Sequence, residues 1–292
     1  MENIQKKIAQ IRQMFEQELL NNDNNNNNYH EQKGNNSLCS SSSSSTLYHP
    51  VDLDRVRCED WQIQRYLIDC VGDVQEAYHC LLRTLQWKKK FGVHELSITD
   101  FPSEFYQLFK IEDNTTAGTD PDGLPIFTEY FASQRCYPEL QQCFRQLIVA
   151  WIERMDRLAG EKGIVYLGDL SNTPILGIDK EMGQFRVEIL NRHYPLLTRR
   201  IIFHNAPLLI GPILRLIVAF MKPSIRDIVV YTKNVNQLSQ FIDKKVIHKD
   251  LGGGRDGKRI VPEGVVSFRD CHEKFGIDRK YVEWFLKYNN LL

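Results

Sequence analysis

Residues 199–232 read RRIIFHNAPLLIGPILRLIVAFMKPSIRDIVVYT. Two short runs of β-branched and aromatic residues, RRIIFH (199–204) and RDIVVYT (226–232), flank a long apolar stretch. Proline has no N–H and fits a helix only in its first turn, so we predict a helix from Pro212 to Met221 that Pro223 ends. A strand, a helix and a second strand in this order predict a crossover between parallel strands.

The same alternation continues towards the N-terminus. PIFTEYF (125–131) and GIVYLGDL (163–170) are typical of short strands, and helices are predicted over 138–159 and 179–192. The sequence therefore predicts an α/β domain over 111–292, with a mostly parallel sheet, crossover helices and a C-terminal helix.

The first part of the chain has a different pattern. Apolar residues recur every three or four positions from Ile4 to Leu19, which predicts an amphipathic helix within 1–20. The segment 21–47 is rich in Asn and Ser and offers little apolar surface, so we expect a disordered insertion there. A helical subdomain is predicted over 48–110, with its long helix closing at Gly92.

Composition limits the class of protein. The formal charge of the 292 residues is +0, which argues against a nucleic-acid binder that acts through overall positive charge. Residues 199–259 nevertheless contain twelve Lys or Arg against four Asp, a surplus of eight positive charges that either docks on a membrane or is an ordinary solvated face. Seven cysteines without metal-site spacing and a charged N-terminal stretch are typical of a cytoplasmic protein.

No motif predicts an enzyme. Gly252 to Lys258 has the spacing of a phosphate-binding loop, but Arg259 follows where Ser or Thr is required, so we interpret it as a turn. Asp120 and Asp122 lack the further ligands of a calcium loop. His193 and His204 are interpreted as structural histidines rather than acid–base groups. We predict no catalytic residue, metal or cofactor.

The helix predicted from Pro212 is apolar on nearly every side. Helices of this kind are normally buried, and a lid over an apolar ligand is the alternative. Arg215 and Lys222 are its charged residues, and their spacing of seven places them on one line.

Five stretches resemble the CRAL-TRIO lipid-binding and lipid-transfer family in order and spacing over roughly 51–265. They are CEDWQIQRYLIDCVGDVQEAYHCLLRTLQWKKKFGV (58–93), GTDPDGLPIF (118–127), YLGDL (166–170), HYPLLTRRIIFHNAPLLIGPILRLIVAFMKP (193–223) and IHKDLGGG (247–254).

The resemblance implies an apolar pocket floored by the sheet and closed by a gate helix at 212–221. The lipid pocket and gate residues are then expected to be Tyr166, Ile213, Leu216, Ile217 and Phe220. Arg215 and Lys222 are expected to face the membrane. The glutamate and lysine that hold the inositol headgroup in phosphatidylinositol-transfer members correspond here to Leu196 and Ile228, so a headgroup site of that kind is not expected.

These observations leave three functional hypotheses. The first is a non-enzymatic, monomeric carrier or sensor of a lipid or lipophilic molecule, with transient membrane contact, no nucleic-acid partner and no named protein partner. The second is a protein-interaction scaffold whose pocket is filled or collapsed. An enzyme built around residues 252–259 is the third.

Overall fold

The chain forms two compact units, Met1–Glu95 and Leu96–Leu292. The computed structural model describes residues 2–31, 47–109, 111–113, 120–132, 135–174, 179–256 and 261–291. The helices of the first unit are α1 (Glu2–Glu31), α2 (Pro50–Cys58), α3 (Asp60–Asp69) and α4 (Val74–Phe91). The helices of the second unit are α5 (Ser103–Phe109), α6 (Gln141–Ala159), α7 (Lys180–Arg192), α8 (Gly211–Ala219), α9 (Pro223–Arg226), α10 (Val235–Leu238), α11 (Phe268–Cys271) and α12 (Arg279–Tyr288).

The first unit is a helical bundle around one apolar core. Ile8, Ile11, Phe15 and Leu19 of α1 are buried against apolar residues of α2, α3 and α4, as the three- and four-residue spacing predicts. The C-terminal end of α4 is Gly92, whose φ of 75° is the left-handed conformation that glycine adopts at low cost. Gly92 therefore ends the helix where the sequence predicted it.

Two predicted boundaries differ from the structure. Helix α1 runs to Glu31 rather than to residue 20, so residues 21–31 are helical where the sequence predicted disorder. The rest of that region, 32–46, lies outside the described residues. The helical subdomain predicted to reach 110 ends at Glu95. Helix α5 belongs to the second unit because Phe105 packs against Phe144 and Phe268, with ring centroids 5.1 Å apart in both pairs.

The second unit contains a five-stranded sheet in the order β1 (Glu112–Asp113), β2 (Ile126–Tyr130), β3 (Ile164–Asp169), β4 (Thr198–His204) and β5 (Val229–Thr232). Strand β1 pairs antiparallel with β2, and the other neighbours pair in parallel. Helices α6, α7 and α8 connect the parallel strands. The α/β fold with crossover helices is as predicted.

The parallel strands have apolar side chains on both faces. On one face Ile126, Val165 and Ile202 pack against Leu238 and its neighbours in a closed core. On the other face Tyr166, Ile201 and Phe203 pack towards α7 and α8. Successive side chains of a strand point to opposite faces, so this period of two separates a filled core from the face that borders a cavity.

Candidate functional site

An apolar cavity lies between the sheet and helices α6, α7 and α8. Its volume is about 110 Å³, roughly ten times the ~10–15 Å³ that one water molecule needs on this measure. Phe127, Tyr166 and Phe203 form part of its floor, and Ile213, Leu214 and Ile217 of α8 form one wall. The side chains under α8 thus leave open space, in contrast to the collapsed pocket of the scaffold hypothesis.

The structure separates the predicted pocket and gate residues into two groups. Tyr166, Ile213 and Ile217 line the cavity. Leu216 and Phe220 do not line it, and they are 60% and 62% exposed. These two residues lie on the exposed side because Leu214 and Val218 occupy the buried side of α8 and Leu216 lies on the opposite side of the helix.

A groove between α7 and α8 runs along the outer side of the same wall. Leu216 and Phe220 line this groove, together with polar side chains of α7 that include Lys180 and Gln184. Ile213 and Ile217 line both the groove and the cavity. The cavity and the groove therefore share side chains of α8 as a common wall.

Asn191 of α7 holds the C-terminal end of α8. Its Nδ2 donates to the carbonyl oxygen of Phe220 over 3.1 Å, and its Oδ1 accepts from the backbone N–H of Lys222 over 3.2 Å. One amide side chain thus satisfies two backbone groups that the end of a helix leaves without intrahelical partners.

The outer side of α8 and the residues before it form an exposed apolar surface. Leu208 is 92% exposed and Leu209 69% exposed, which exceeds the exposure of the other large apolar residues of this region. Arg215 is exposed and Lys222 is partly buried. The charge of Arg215 reaches Tyr231, whose pKa is raised by burial and lowered in part by this guanidinium.

Several described basic residues of 199–259 already have partners within the chain. Arg199 donates to the carbonyl oxygens of Glu161 and Lys162, at the start of β4. Lys249 pairs with Asp256 over 2.6 Å. Arg215 lies within α8, and Lys222 follows the end of this helix.

Glu129, Tyr166 and Arg186 form a polar cluster in the mainly apolar lining of the cavity. Glu129 on β2 is 1% exposed, accepts a 2.5 Å hydrogen bond from the Tyr166 hydroxyl and forms an ion pair with Arg186 of α7. Burial, followed by the charge of Glu129, raises the pKa of Tyr166 well above its ordinary value, so this hydroxyl remains a donor. Burial lowers the pKa of Arg186, but Glu129 and Tyr166 outweigh that effect and the guanidinium stays charged. The Glu129–Arg186 pair is thus buried, and its two charges compensate each other.

Thr173 is a further polar residue of the cavity lining. It follows β3, and its backbone N–H donates to the carbonyl oxygen of Leu170 over 3.1 Å. The residue is 6% exposed, and its Oγ1 has no hydrogen-bond partner among the described residues. A buried hydroxyl in this state is uncommon in folded proteins.

Sequence reasoning missed Glu129, Arg186, Thr173 and Asn191. A signal existed for Glu129, because Phe127, Glu129 and Phe131 alternate in PIFTEYF and all three line the cavity. A carboxylate in register with two phenylalanines on a buried strand indicates a polar group inside an apolar space.

The glycine-rich loop binds its own chain. The N–H groups of Gly253 and Gly254 donate to the carbonyl oxygens of His248 and Lys244, over 3.2 and 2.7 Å. Those N–H groups are the ones that a phosphate-binding loop would direct at a nucleotide, so the described part of the loop is a structural turn. Lys258 and Arg259 lie outside the described residues.

The other sequence candidates have structural partners. The Asp120 side chain accepts hydrogen bonds from the backbone N–H groups of Asp122 and Leu124, and it thereby stabilises the turn before β2. His204 is buried and contacts the Thr232 hydroxyl over 2.8 Å. Burial lowers the pKa of His204, with an opposing effect from Asp169. Over the residues that the structure describes, no cluster of three or more His, Cys, Asp or Glu is arranged to hold a metal ion.

The two positions that correspond to the inositol-binding pair are both partly buried. Leu196 has a φ of 60° in the turn before β4, and Ile228 packs at the edge of the apolar cluster under α8. Neither side chain offers a charge or a hydrogen bond to a headgroup.

Comparison with known proteins identifies the family of the segment that forms most of the sheet. Residues 114–253 match the family model described as the CRAL/TRIO domain. The segment 114–253 is a CRAL/TRIO domain. The resemblance found in the sequence is thereby confirmed over the segment that holds β2 to β5, α6 to α8 and the glycine-rich loop.

Two relatives of the CRAL/TRIO domain are similar in sequence over part of their length. A CRAL-TRIO domain-containing protein of Schizosaccharomyces pombe is 22% identical over 72% of this chain and 49% of its own length. A phosphatidylinositol transfer protein of Eremothecium gossypii is 29% identical over 37% of this chain and 26% of its own length. The chain thus spans half or less of these relatives.

A solved structure is similar over nearly the whole chain. The crystal structure of Sfh5 has a TM-score of 0.63 over 97% of this chain and 98% of its own, at 12% identity. This similarity supports the fold of both units, including the helical N-terminal region. Among the described residues, no helix is both long and apolar enough to cross a membrane.

Proposed function

We propose that this chain binds a lipid or another lipophilic molecule in the cavity and exchanges it with membranes through α8. The observation that supports this proposal is an apolar cavity with α8 as one wall, because the outer side of this helix is apolar and exposed. Cavity-lining Ile213 and Ile217 face the ligand in this proposal, while exposed Leu216 and Phe220 face the membrane.

The physical reason for such a carrier is the cost of exposing hydrocarbon to water. Moving a dozen methylene groups from a membrane into water costs about 10 kcal/mol, at ~0.8 kcal/mol each, so unassisted exchange is slow. A protein cavity with apolar walls removes most of this cost. The chain itself then supplies binding and shielding, with no catalytic step, metal or cofactor.

The membrane contact in this proposal is transient. Leu208, Leu209 and Phe220 insert at the interface, and Arg215 with Lys222 meets anionic headgroups at about 1 kcal/mol for each residue. The protein would act as a monomer on the cytoplasmic side, without nucleic acid. The scaffold alternative remains the competing function, and the open cavity favours the carrier.

We also propose a nearer relationship within the CRAL-TRIO proteins. The stretches LQWKKKFGVHELSITDFP (85–102), AWIERMDR (150–157) and GDLSNTPILGID (168–179) resemble the CRAL-TRIO domain of motile sperm domain-containing protein 2. Structures or alignments of that domain would test this relationship directly.

A vesicle assay tests the carrier function. We expect Phe220→Asp to slow transfer of a fluorescent phospholipid between anionic vesicles about tenfold or more, because it replaces an exposed aromatic ring of α8 with a charge. The matched control is Tyr288→Asp on α12, where the parent ring is 60% exposed. Circular dichroism establishes that each variant is folded.

A second pair of changes tests the basic residues. Arg215→Glu combined with Lys222→Glu should weaken binding to anionic vesicles, and added salt should do the same to the parent protein. If folded Phe220→Asp transfers lipid at the parental rate, α8 is not the gate and the scaffold becomes the leading function.

A further inference from the structure

We infer that Cys70 and Cys80 form a thiol pair that hydroperoxides oxidise reversibly to a disulfide. The two sulfur atoms lie 3.9 Å apart. A disulfide bond is ~2.05 Å long, so the bond forms when the sulfur atoms approach by about 1.9 Å. The pair lies in the unit Met1–Glu95, whereas the described lining of the cavity belongs to Leu96–Leu292. The inference is therefore independent of the proposed lipid function.

The tight turn between α3 and α4 sets the position of both thiols. Cys70 follows the last residue of α3, and Cys80 lies about two turns into α4. The backbone N–H of Gly72 donates to the carbonyl oxygen of Leu67 over 2.7 Å, and the N–H of Asp73 donates to that of Cys70 over 3.0 Å. Both cysteines pack, partly buried, against the apolar core of the helical bundle. The reduced fold thus already holds the two thiols next to each other.

The surroundings of the two sulfur atoms differ, and this difference assigns their roles. The Arg83 guanidinium donates to the Cys80 sulfur over 3.0 Å, a contact that stabilises a thiolate. Glu76 accepts from the same sulfur over 3.4 Å and opposes its ionisation, but this carboxylate is itself paired with Arg83 over 3.0 Å. Burial, followed by the charge of Cys80, raises the pKa of the Cys70 thiol to about 12. Because the thiolate is the reactive form, Cys80 reacts first and Cys70 is the resolving thiol.

Solvent reaches the pair. Cys70 and Cys80 are both partly exposed, in contrast to the buried Cys143. Arg83 and Glu76, which contact the Cys80 sulfur, are exposed. A small hydroperoxide therefore has access to this sulfur without any opening of the core.

The oxidation proceeds in two balanced steps. The Cys80 thiolate attacks one oxygen of the hydroperoxide, so an S–O bond forms, the O–O bond breaks, and hydroxide or an alkoxide leaves. The resulting sulfenic acid is uncharged and no longer raises the pKa of Cys70 through its charge. The Cys70 thiolate then attacks the Cys80 sulfur, so the S–S bond forms, the S–O bond breaks, and the departing hydroxide takes up a proton to give water. The two thiols lose two electrons, and the hydroperoxide gains them.

The disulfide would fix the end of α3 to α4 and close a ring around the turn between them. Gly72 lies in this ring, and its carbonyl oxygen accepts from the Lys7 ammonium group of α1 over 2.7 Å. Disulfides in a reducing compartment are usually transient and respond to oxidants. A dithiol reverses the reaction by thiol–disulfide exchange. The pair is thus a redox-responsive modification site in the helical bundle.

Peptide mass spectrometry of the full chain tests the inference. The reduced, folded protein is treated with hydrogen peroxide, and the remaining thiols are then blocked with N-ethylmaleimide in denaturant. We expect the Cys70–Cys80 disulfide to form about tenfold faster than the exposed thiols of Cys58 and Cys136 are oxidised, and dithiothreitol should reverse it. Oxidation of Cys58 or Cys136 at the same rate or faster, or no crosslink between Cys70 and Cys80, would overturn the inference. This measurement needs no variant.

Substitutions test the two roles. In Cys70→Ser the sulfenic acid of Cys80 has no resolving thiol, so dimedone should trap it. Arg83→Gln removes the guanidinium and should slow disulfide formation about threefold to tenfold. The matched control is Lys90→Gln, which removes one positive charge from an exposed position of the same helix. Dimedone labelling of Cys70 in Cys80→Ser, with none of Cys80 in Cys70→Ser, would show that the roles are wrong.

Discussion

Asn191 is a single side chain that makes two hydrogen bonds at the C-terminal end of α8. Its side chain donates to the carbonyl oxygen of Phe220 and accepts from the backbone N–H of Lys222. Both residues follow α8, where backbone groups have no hydrogen-bond partner within the helix. In the proposed function these two bonds resist the opening of α8. The buried Glu129–Arg186 pair, by contrast, lies inside the cavity and fixes β2 to α7.

Removing Asn191 should loosen the end of α8. We expect Asn191→Ala to speed hydrogen exchange in peptides covering 217–222 by about 5- to 50-fold, because two hydrogen bonds of ~0.5–1.5 kcal/mol each are lost. Lipid transfer should become faster if opening limits it. Gln184→Ala, an exposed change on the same helix, is the control. Unchanged exchange at 217–222 in Asn191→Ala would show that other contacts hold α8.

At the scale of elements, the glycine-rich loop after α10 is a close-packed turn. A Cβ atom on Gly253 would lie 2.0 Å from the carbonyl oxygen of Ile247. This steric clash could be relieved only by a shift of the backbone. A Cβ on Gly254 would meet its nearest neighbour, the carbonyl oxygen of Lys244, at an ordinary 3.5 Å. The first of these glycines is therefore required by packing, and the second tolerates a side chain.

The two neighbouring glycines make a matched test. We expect Gly253→Ala to lower the free energy of unfolding by about 2–4 kcal/mol and Gly254→Ala to change it by less than ~1 kcal/mol. Urea denaturation followed by circular dichroism measures both. Equal effects of the two substitutions would contradict the packing role. Retained stability of Gly253→Ala would reopen the hypothesis that this loop has room for a ligand.

At the scale of the whole molecule, every described residue that lines the cavity belongs to the unit Leu96–Leu292. Ligand binding stabilises the state that binds it, by about 2.7 kcal/mol at a free ligand concentration of 100 times Kd. The added stability should consequently be detected first in the segments that form the cavity.

Hydrogen exchange over the full chain measures this distribution. With saturating pyrene-linked decanol, we expect slower exchange in peptides covering 126–131, 164–173 and 201–221. Peptides from Met1–Glu95 serve as the internal reference, since they contribute no described residue to the cavity. Protection that appears mainly in the reference peptides would place the ligand elsewhere.

Much of the fold was determined by the sequence, because the side-chain period of a strand or helix is a local property. The order of strands and helices in 125–232, the end of α4 at Gly92 and the start of α8 near Pro212 were all correctly predicted. The resemblance of five separated stretches also located the cavity-forming segment. The end of α1 was predicted too early, since an Asn-rich composition does not by itself stop a helix that has already formed.

Only the tertiary structure decided which residues form the site. Glu129 and Arg186 are 57 positions apart, and Asn191 and Phe220 are 29 apart, so no local period relates them. Helix α8 is apolar on nearly every side, and its sequence alone therefore could not show that Ile217 faces the cavity while Leu216 and Phe220 face outwards. Contacts between distant segments depend on how the elements pack. When all faces of a helix are apolar, its sequence does not distinguish them, and packing decides which face is buried.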